Sequence, residues 1–212
     1  EFSRECKIPT FPIIGVGSGG KLIFGWLGVF SKALALLVWR SRKYPLILVL
    51  EMAVDRPGDM AYLTNLAPCK IGVVTGVGPV HLEFFKTIEK IANEKSVMIS
   101  HIDKNGWAVL NCDNDYVCPM DKVAKGRVLT YGIRNEQANI RASEILISQK
   151  DEKISGLSFK LTYQGSTVPV LLPNILGEHL IYAALAGAAI GIIHEMNLLE
   201  ISQALRSFRA PV

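Results

Sequence analysis

The sequence predicts one α/β domain: a mostly parallel sheet flanked by helices, with a small antiparallel β appendage in the second half of the chain. Two uninterrupted apolar runs, residues 47–50 and 71–75, are typical of strands buried on both faces of a parallel sheet. Beyond Gly132, apolar and polar residues alternate instead, as in antiparallel strands with one face in water. A chain of 212 residues is long enough for one such domain.

Helical and strand patterns follow one another along the whole chain. Apolar residues three and four positions apart predict a helix that leads to residue 95, with Thr87 as a candidate N-cap. The tight turn Gln-Gly-Ser at residues 164–166 predicts a hairpin. The other expected elements are helices over residues 22–40, 60–66, an Ala-rich stretch after Gly177 and 198–208, and strands over 107–111, 127–131, 138–147, 157–163 and 167–172.

Charge and cysteine content narrow the class of protein. The 23 Lys and Arg residues exceed the 19 Asp and Glu residues by four and are spread along the chain, so no concentrated basic face favours nucleic acid as a partner. The four cysteines show neither a CxxC pair nor zinc-finger spacing, and no secretory signal opens the sequence. We therefore expect a cytoplasmic protein with reduced thiols.

One apolar segment is nearly long enough to cross a membrane. Residues 22–39 reach about the minimum length for a span. Ser31 and Lys32 interrupt the segment, and basic residues follow it. A buried or surface-docked helix is the preferred interpretation, and a peripheral membrane protein is the weaker alternative.

Two potential metal ligands follow the first two predicted strands. Glu51 comes directly after residues 47–50, and His81 follows the strand at 71–75 by a short loop. Open α/β sheets bind their ligands outside the carboxyl ends of the strands. The pair therefore predicts a metal site at this edge, although either residue alone could simply be a polar residue after a strand.

A glycine-rich stretch over residues 15–21 fits two phosphate-binding patterns, GxGxxG and GxxxxGK. In the second pattern, backbone N–H groups surround phosphate, the Lys contacts the outer phosphates and a following hydroxyl binds Mg²⁺. Gly20 and Lys21 are the candidate phosphate contacts, but Leu22 occupies the hydroxyl position. A flexible turn before a helix is the alternative.

Lys95 falls on the apolar stripe of its predicted helix, four residues after Ile91. A lysine there either extends to the edge of the buried surface or has a function. A continuous helix from His81 would separate the two residues by about 21 Å. One site could hold both only if the helix begins near Thr87 and the preceding residues fold back.

His179 stands at the expected start of the Ala-rich helix, directly after Gly177 and Glu178. Helix N-termini attract anions, so contact with a nucleotide is one interpretation. A capping role is the other.

Six segments of the chain, taken in order, resemble the central ATP-binding domain of the Mur ligases, the ATP-dependent amide-forming enzymes of peptidoglycan synthesis. The two longest match the strand and loop around Glu51 and the strand and loop around His81. The segments are residues 48–60, 74–85, 91–95, 107–113, 131–132 and 177–179.

The resemblance implies a P-loop-like fold and an ADP-forming ligase that uses ATP and Mg²⁺. It is strongest to members that join D-Ala-D-Ala to a UDP-muramoyl tripeptide. It further implies that Glu51 and His81 hold Mg²⁺, that Lys95 is carbamylated and orients the acceptor, and that His179 lies near the nucleotide.

Departures from the family pattern limit what the resemblance implies. Besides Leu22, Leu180 stands where many members carry Asn, and only 30 positions separate Lys21 from Glu51. We therefore expect residues 1–212 to be a single central domain, incomplete at its N-terminal edge, without the UDP-substrate and C-terminal domains and inactive alone. A non-catalytic domain of the same fold and a related amide ligase, such as folate polyglutamate synthase, are the alternatives.

Overall fold

The computed structural model describes residue 31 and residues 47–80, 82–150, 153–173 and 177–208. The chain divides into two compact units, Glu1–Leu50 and Glu51–Val212. The glycine-rich stretch with Gly20 and Lys21 lies outside the described residues. Of the helix predicted over residues 22–40, only Ser31 is described, and it is helical.

The second unit contains a six-stranded sheet whose strands lie side by side in chain order. The first four strands are parallel, and the last two add to them in antiparallel fashion, which confirms the predicted sheet and its appendage. The strands are β1 (Ile71–Val74), β2 (Trp107–Asn111), β3 (Arg127–Gly132), β4 (Ile140–Lys150), β5 (Lys153–Tyr163) and β6 (Ser166–Pro173).

The helices of this unit begin and end at residues whose local chemistry explains the boundary. Thr87 caps α3 by accepting a hydrogen bond from the Lys90 N–H, as predicted. Lys86 has a positive φ of 69°, which ends the preceding helix. The helices are α1 (Asp59–Leu66), α2 (Leu82–Phe85), α3 (Ile88–His101), a 3-10 helix (Cys118–Val123), α4 (His179–Ile193) and α5 (Leu198–Ser207).

The hydrophobic core has two parts, one on each face of the sheet. Along β2, Val109 contributes to one part while Ala108 and Leu110 contribute to the other, and all three are fully buried. This burial on both faces is expected for a central parallel strand. The Ala-rich α4 packs in the first part, and α3 packs in the second. In the described ranges, no helix combines the length and apolar character needed to cross a bilayer.

The strand predicted over residues 47–50 is wrong. These residues form a bend and irregular backbone, and Leu48 and Val49 are 61% and 87% exposed. An apolar run becomes a buried strand only where a neighbouring strand supplies hydrogen bonds and other elements cover both faces. Among the described residues, no strand pairs with residues 47–50, and their side chains are exposed.

Candidate functional site

The predicted site residues fall into two groups in the structure. Glu51, Lys95 and His179 are described, whereas His81, Gly20 and Lys21 lie outside the described residues. The pairing of Glu51 with His81 in one metal site therefore stays a prediction. Among the described residues, no three His, Cys, Asp or Glu side chains come close enough together to hold a metal ion.

The loop at residues 75–77, which follows β1, is held through its backbone. Each of its three successive carbonyl groups accepts a hydrogen bond from a side chain. In chain order the donors are Asn111 Nδ2 at 2.9 Å, Lys95 Nζ at 2.8 Å and Asn114 Nδ2 at 3.0 Å. The loop is therefore fixed at the carboxyl edge of the sheet by residues from α3, from the end of β2 and from the loop after β2.

Lys95 lies half-buried on α3, and its Nζ reaches the carbonyl of Gly76. Because α3 begins only at Ile88, the continuous helix that would have kept Lys95 far from His81 does not exist. Burial lowers the pKa of the Lys95 amine. The prediction that Lys95 shares the buried side of its helix is thus confirmed.

Glu94, the neighbour of Lys95, holds a second loop. Its carboxylate accepts hydrogen bonds from the Gly58 N–H at 3.0 Å and the Met60 N–H at 2.8 Å, at the start of α1. No sequence pattern marks Glu94 as a candidate site residue. These two consecutive α3 residues thus hold one loop that follows Glu51 and another that leads toward His81.

The loop after Glu51 also contacts the helix that follows His81. The Arg56 guanidinium lies 5.3 Å from the centre of the Phe84 ring in α2. Such cation–π contacts are weak at exposed positions. The contact nevertheless places the segments flanking the two predicted metal ligands beside each other.

Asp113, in the loop after β2, connects this loop with the end of β3 and with α4. Its carboxylate accepts hydrogen bonds from the backbone N–H groups of residues 133–135, at 2.6 to 2.9 Å, and from the Tyr182 hydroxyl at 2.9 Å. Partial burial by itself raises the pKa of Asp113, but these four hydrogen bonds outweigh it and leave the pKa lowered.

Tyr182 donates to this carboxylate, and Tyr131 interacts electrostatically with Tyr182. Burial, and then the hydrogen bond to Asp113, raise the pKa of Tyr182 to about 12. Burial also raises the pKa of Tyr131, whose hydroxyl has no hydrogen-bond partner among the described residues. Both phenols therefore stay protonated at physiological pH.

His179 is the first residue of α4 and is exposed. Glu178 occupies the N-cap position, and no described side chain caps this helix, so the capping interpretation of His179 is wrong. The imidazole instead lies over Gly177, where it fills the space that a Cβ would take. The close approach explains why glycine suits this position, and nucleotide contact by His179 stays a prediction.

The expectation of reduced cysteines is wrong for two of the four. Cys112 and Cys118 form a disulfide, with their Cα atoms 4.3 Å apart across the loop after β2. Neither the CxxC rule nor zinc-finger spacing detects a pair six positions apart. Cys69 carries a free thiol.

Two cavities formed by described residues lie elsewhere. Two cavities of about 350 Å³ share Tyr163 and Gln164, and one of them reaches Trp107, the first residue of β2. They therefore open near the amino end of the parallel strands, opposite the edge that carries the candidate site.

Comparison with known proteins agrees with this architecture. Residues 34–191 match the family model of the Mur ligase middle domain. The UDP-N-acetylmuramoyl-tripeptide–D-alanyl-D-alanine ligase of Mycobacterium tuberculosis is 29% identical over 168 residues, which are 79% of this chain and 32% of that protein. The UDP-N-acetylmuramoyl-L-alanyl-D-glutamate–2,6-diaminopimelate ligase of Bacillus velezensis is 32% identical over 145 residues, covering 66% of this chain and 28% of that protein.

A solved structure has the same fold. The crystal structure of MurF ligase from Thermotoga maritima in complex with ADP superimposes with a TM-score of 0.63 at 24% identity, covering 80% of this chain and 38% of that one. The chain thus spans about a third of the length of the curated relatives it matches. On the family match and the shared architecture, the chain belongs to the Mur ligase family, in the region of its middle domain.

Proposed function

We propose that the chain is the nucleotide-binding middle domain of an ADP-forming ligase that joins D-Ala-D-Ala to a UDP-muramoyl tripeptide in peptidoglycan precursor synthesis. One observation carries the proposal most directly: Glu94 and Lys95 hold the loop that follows Glu51 and the loop that leads toward His81. Ligands of open α/β sheets bind at this edge. The ligase reaction named for the M. tuberculosis relative supports the proposed substrates, and the ADP bound in the Thermotoga maritima structure supports ATP as the nucleotide.

The reaction has two steps. ATP phosphorylates the terminal carboxylate of the tripeptide, and the amine of D-Ala-D-Ala then attacks the acyl phosphate and releases phosphate. The protein mainly positions these groups. Gly20 and Lys21 would contact phosphate if the glycine-rich stretch acts as a P-loop, and His179 would lie near the nucleotide.

Glu51 and His81 would hold Mg²⁺. The Glu51 carboxylate suits this ion, because it is exposed and makes no hydrogen bond or ion pair with another described residue. Carboxylate oxygens are the ligands that Mg²⁺ prefers in proteins. When bound, the ion offsets negative charge on the transferring phosphoryl group.

Lys95 is proposed to react with CO₂ and to orient the acceptor as a carbamate. Burial lowers its pKa, and this increases the neutral fraction of the amine, which is the nucleophile in that reaction. In ¹³C NMR spectra with labelled bicarbonate, we expect a carbamate signal from the wild-type chain. Lys95→Met should abolish it, whereas Lys90→Met, at an exposed position of the same helix, should retain it. A signal that survives Lys95→Met would contradict the assignment.

The enzymatic proposal is tested by a coupled assay of ADP release. Because the chain spans about a third of its relatives, we expect residues 1–212 alone to show no tripeptide-dependent turnover. Fused to the flanking segments of the M. tuberculosis relative, the chain should release ADP with D-Ala-D-Ala. Release with 2,6-diaminopimelate instead would assign it the other relative's substrate.

A further inference from the structure

The Cys112–Cys118 disulfide closes the loop that follows β2, at the edge of the sheet that carries the candidate site. Cys112 directly follows the last residue of β2, and Cys118 opens the 3-10 helix. Both cysteines are half-buried. Val117, just before the second cysteine, is fully buried in the core and anchors the disulfide loop there. Asp115 and Tyr116 of the same loop are exposed.

Asn114 connects the disulfide loop to the loop at residues 75–77. Its Oδ1 accepts hydrogen bonds from the N–H groups of Tyr116 and Val117, both at 3.2 Å. Its Nδ2 donates to the carbonyl of Val77 at 3.0 Å. The same side chain thus organises the disulfide loop and holds the loop that leads toward His81.

The disulfide loop also reaches the end of β3 and the first turn of α3. The Cys112 carbonyl accepts a hydrogen bond from Asn135 Nδ2 at 3.1 Å. The Tyr116 hydroxyl donates to Glu89 at 3.4 Å. A change in this loop therefore acts on several elements that form the carboxyl edge of the sheet.

We propose that the Cys112–Cys118 disulfide is a redox-responsive lock on the loop at residues 75–77. In the oxidised form, the covalent closure keeps Asn114 in place, and Asn114 keeps Val77 in place. In the reduced form, residues 112–118 gain conformational freedom, and the hold on the 75–77 loop weakens. The lock does not depend on the proposed ligase reaction, because it rests only on contacts within this chain.

The chemistry is thiol–disulfide exchange with a dithiol. One thiolate of the dithiol attacks a sulfur of the disulfide and releases the other cysteine as a thiolate, which takes up a proton. The second thiol of the dithiol then displaces the remaining cysteine. The protein disulfide gains two electrons and two protons, and the reductant leaves as its own disulfide. A disulfide oxidant reverses the exchange.

Hydrogen exchange of the whole chain, followed by mass spectrometry with and without dithiothreitol, tests the lock. We expect reduction to accelerate amide exchange in residues 73–78 about tenfold, as local opening becomes easier. Exchange in the β5–β6 hairpin should stay unchanged. Alkylation of unreduced protein should spare Cys112 and Cys118 and modify them only after reduction.

Two variants separate this lock from a general effect of the reductant. A double variant, Cys112→Ser with Cys118→Ser, should exchange like the reduced wild type in both buffers. Cys69→Ser should keep the response, because Cys69 is not in the disulfide. The proposal is overturned if Cys112 and Cys118 are alkylated without reduction, if reduction leaves residues 73–78 unchanged, or if it accelerates exchange throughout the domain. None of these readouts requires ATP binding.

Discussion

Replacing Asp113 with alanine is expected to lower the free energy of unfolding by about 3 kcal/mol, measured by urea denaturation. The substitution removes the acceptor for three backbone N–H groups at residues 133–135 and for the Tyr182 hydroxyl. Hydrogen bonds to a charged group are stronger than neutral ones, and donors that lose a partly buried acceptor are not fully compensated by water. The loops after β2 and β3 and the start of α4 should loosen together.

Asp115 provides the matched control, because it carries the same side chain in the same loop and is exposed. Asp115→Ala should change the free energy of unfolding by no more than about 0.5 kcal/mol.

The two variants should also differ in how their stability depends on pH. The pKa of Asp113 is lowered from 3.8 in the folded state, so its contribution is present above pH 3.8 and is lost as pH falls through the folded pKa. Equal losses in the two alanine variants would contradict this role for Asp113.

Replacing Gly132 with alanine should lower the free energy of unfolding by about 2 to 3 kcal/mol. A Cβ at this position would lie 2.7 Å from Asp113 Oδ1 and 3.2 Å from its Cγ. The carboxylate cannot withdraw without stretching the hydrogen bonds that hold it. Thermal and urea unfolding of the variant measure the cost.

Gly187→Ala is the control for this substitution. In α4, a Cβ at residue 187 would meet only Leu205 Cδ2, at 3.9 Å, which is an ordinary contact. Alanine favours helix over glycine by up to about 1 kcal/mol, so this variant should be neutral or more stable. In an Asp113→Ala background, the cost of Gly132→Ala should fall, because the obstructing carboxylate is gone. Additive losses would show that the two residues act independently.

The strands and helices that the sequence predicted correctly are those whose pattern of apolar residues, caps and turns lies within the element or next to it. The apolar run of β2, the N-cap of α3 at Thr87 and the turn near Gly165 each define an element through neighbouring residues. Residues 47–50 carry the same apolar signal as β1 but do not form a strand. A local pattern cannot reveal whether a pairing strand and covering helices are present.

Only part of the candidate site could be predicted from the sequence. Lys95 was identified because a charged residue on an apolar stripe is unusual. Asp113 and Asn114 look locally like ordinary turn formers. The partners of Asp113 lie 20 to 22 and 69 positions away, the Val77 carbonyl lies 37 positions from Asn114, and only the fold brings them together. The disulfide was missed because six positions separate its cysteines, a spacing that matches no common motif.

Titration calorimetry of ATP into the whole chain, with and without Mg²⁺ and with a Glu51→Ala variant, tests the central claim most directly. The proposed nucleotide site predicts weak, magnesium-dependent binding of ATP to the wild type. In the Glu51→Ala variant, the Kd for ATP should rise at least about tenfold, which is a loss of about 1.4 kcal/mol of binding free energy. No binding to the wild type, or binding that neither Mg²⁺ nor Glu51 affects, would contradict the account and favour a domain that keeps the Mur ligase fold without its nucleotide chemistry.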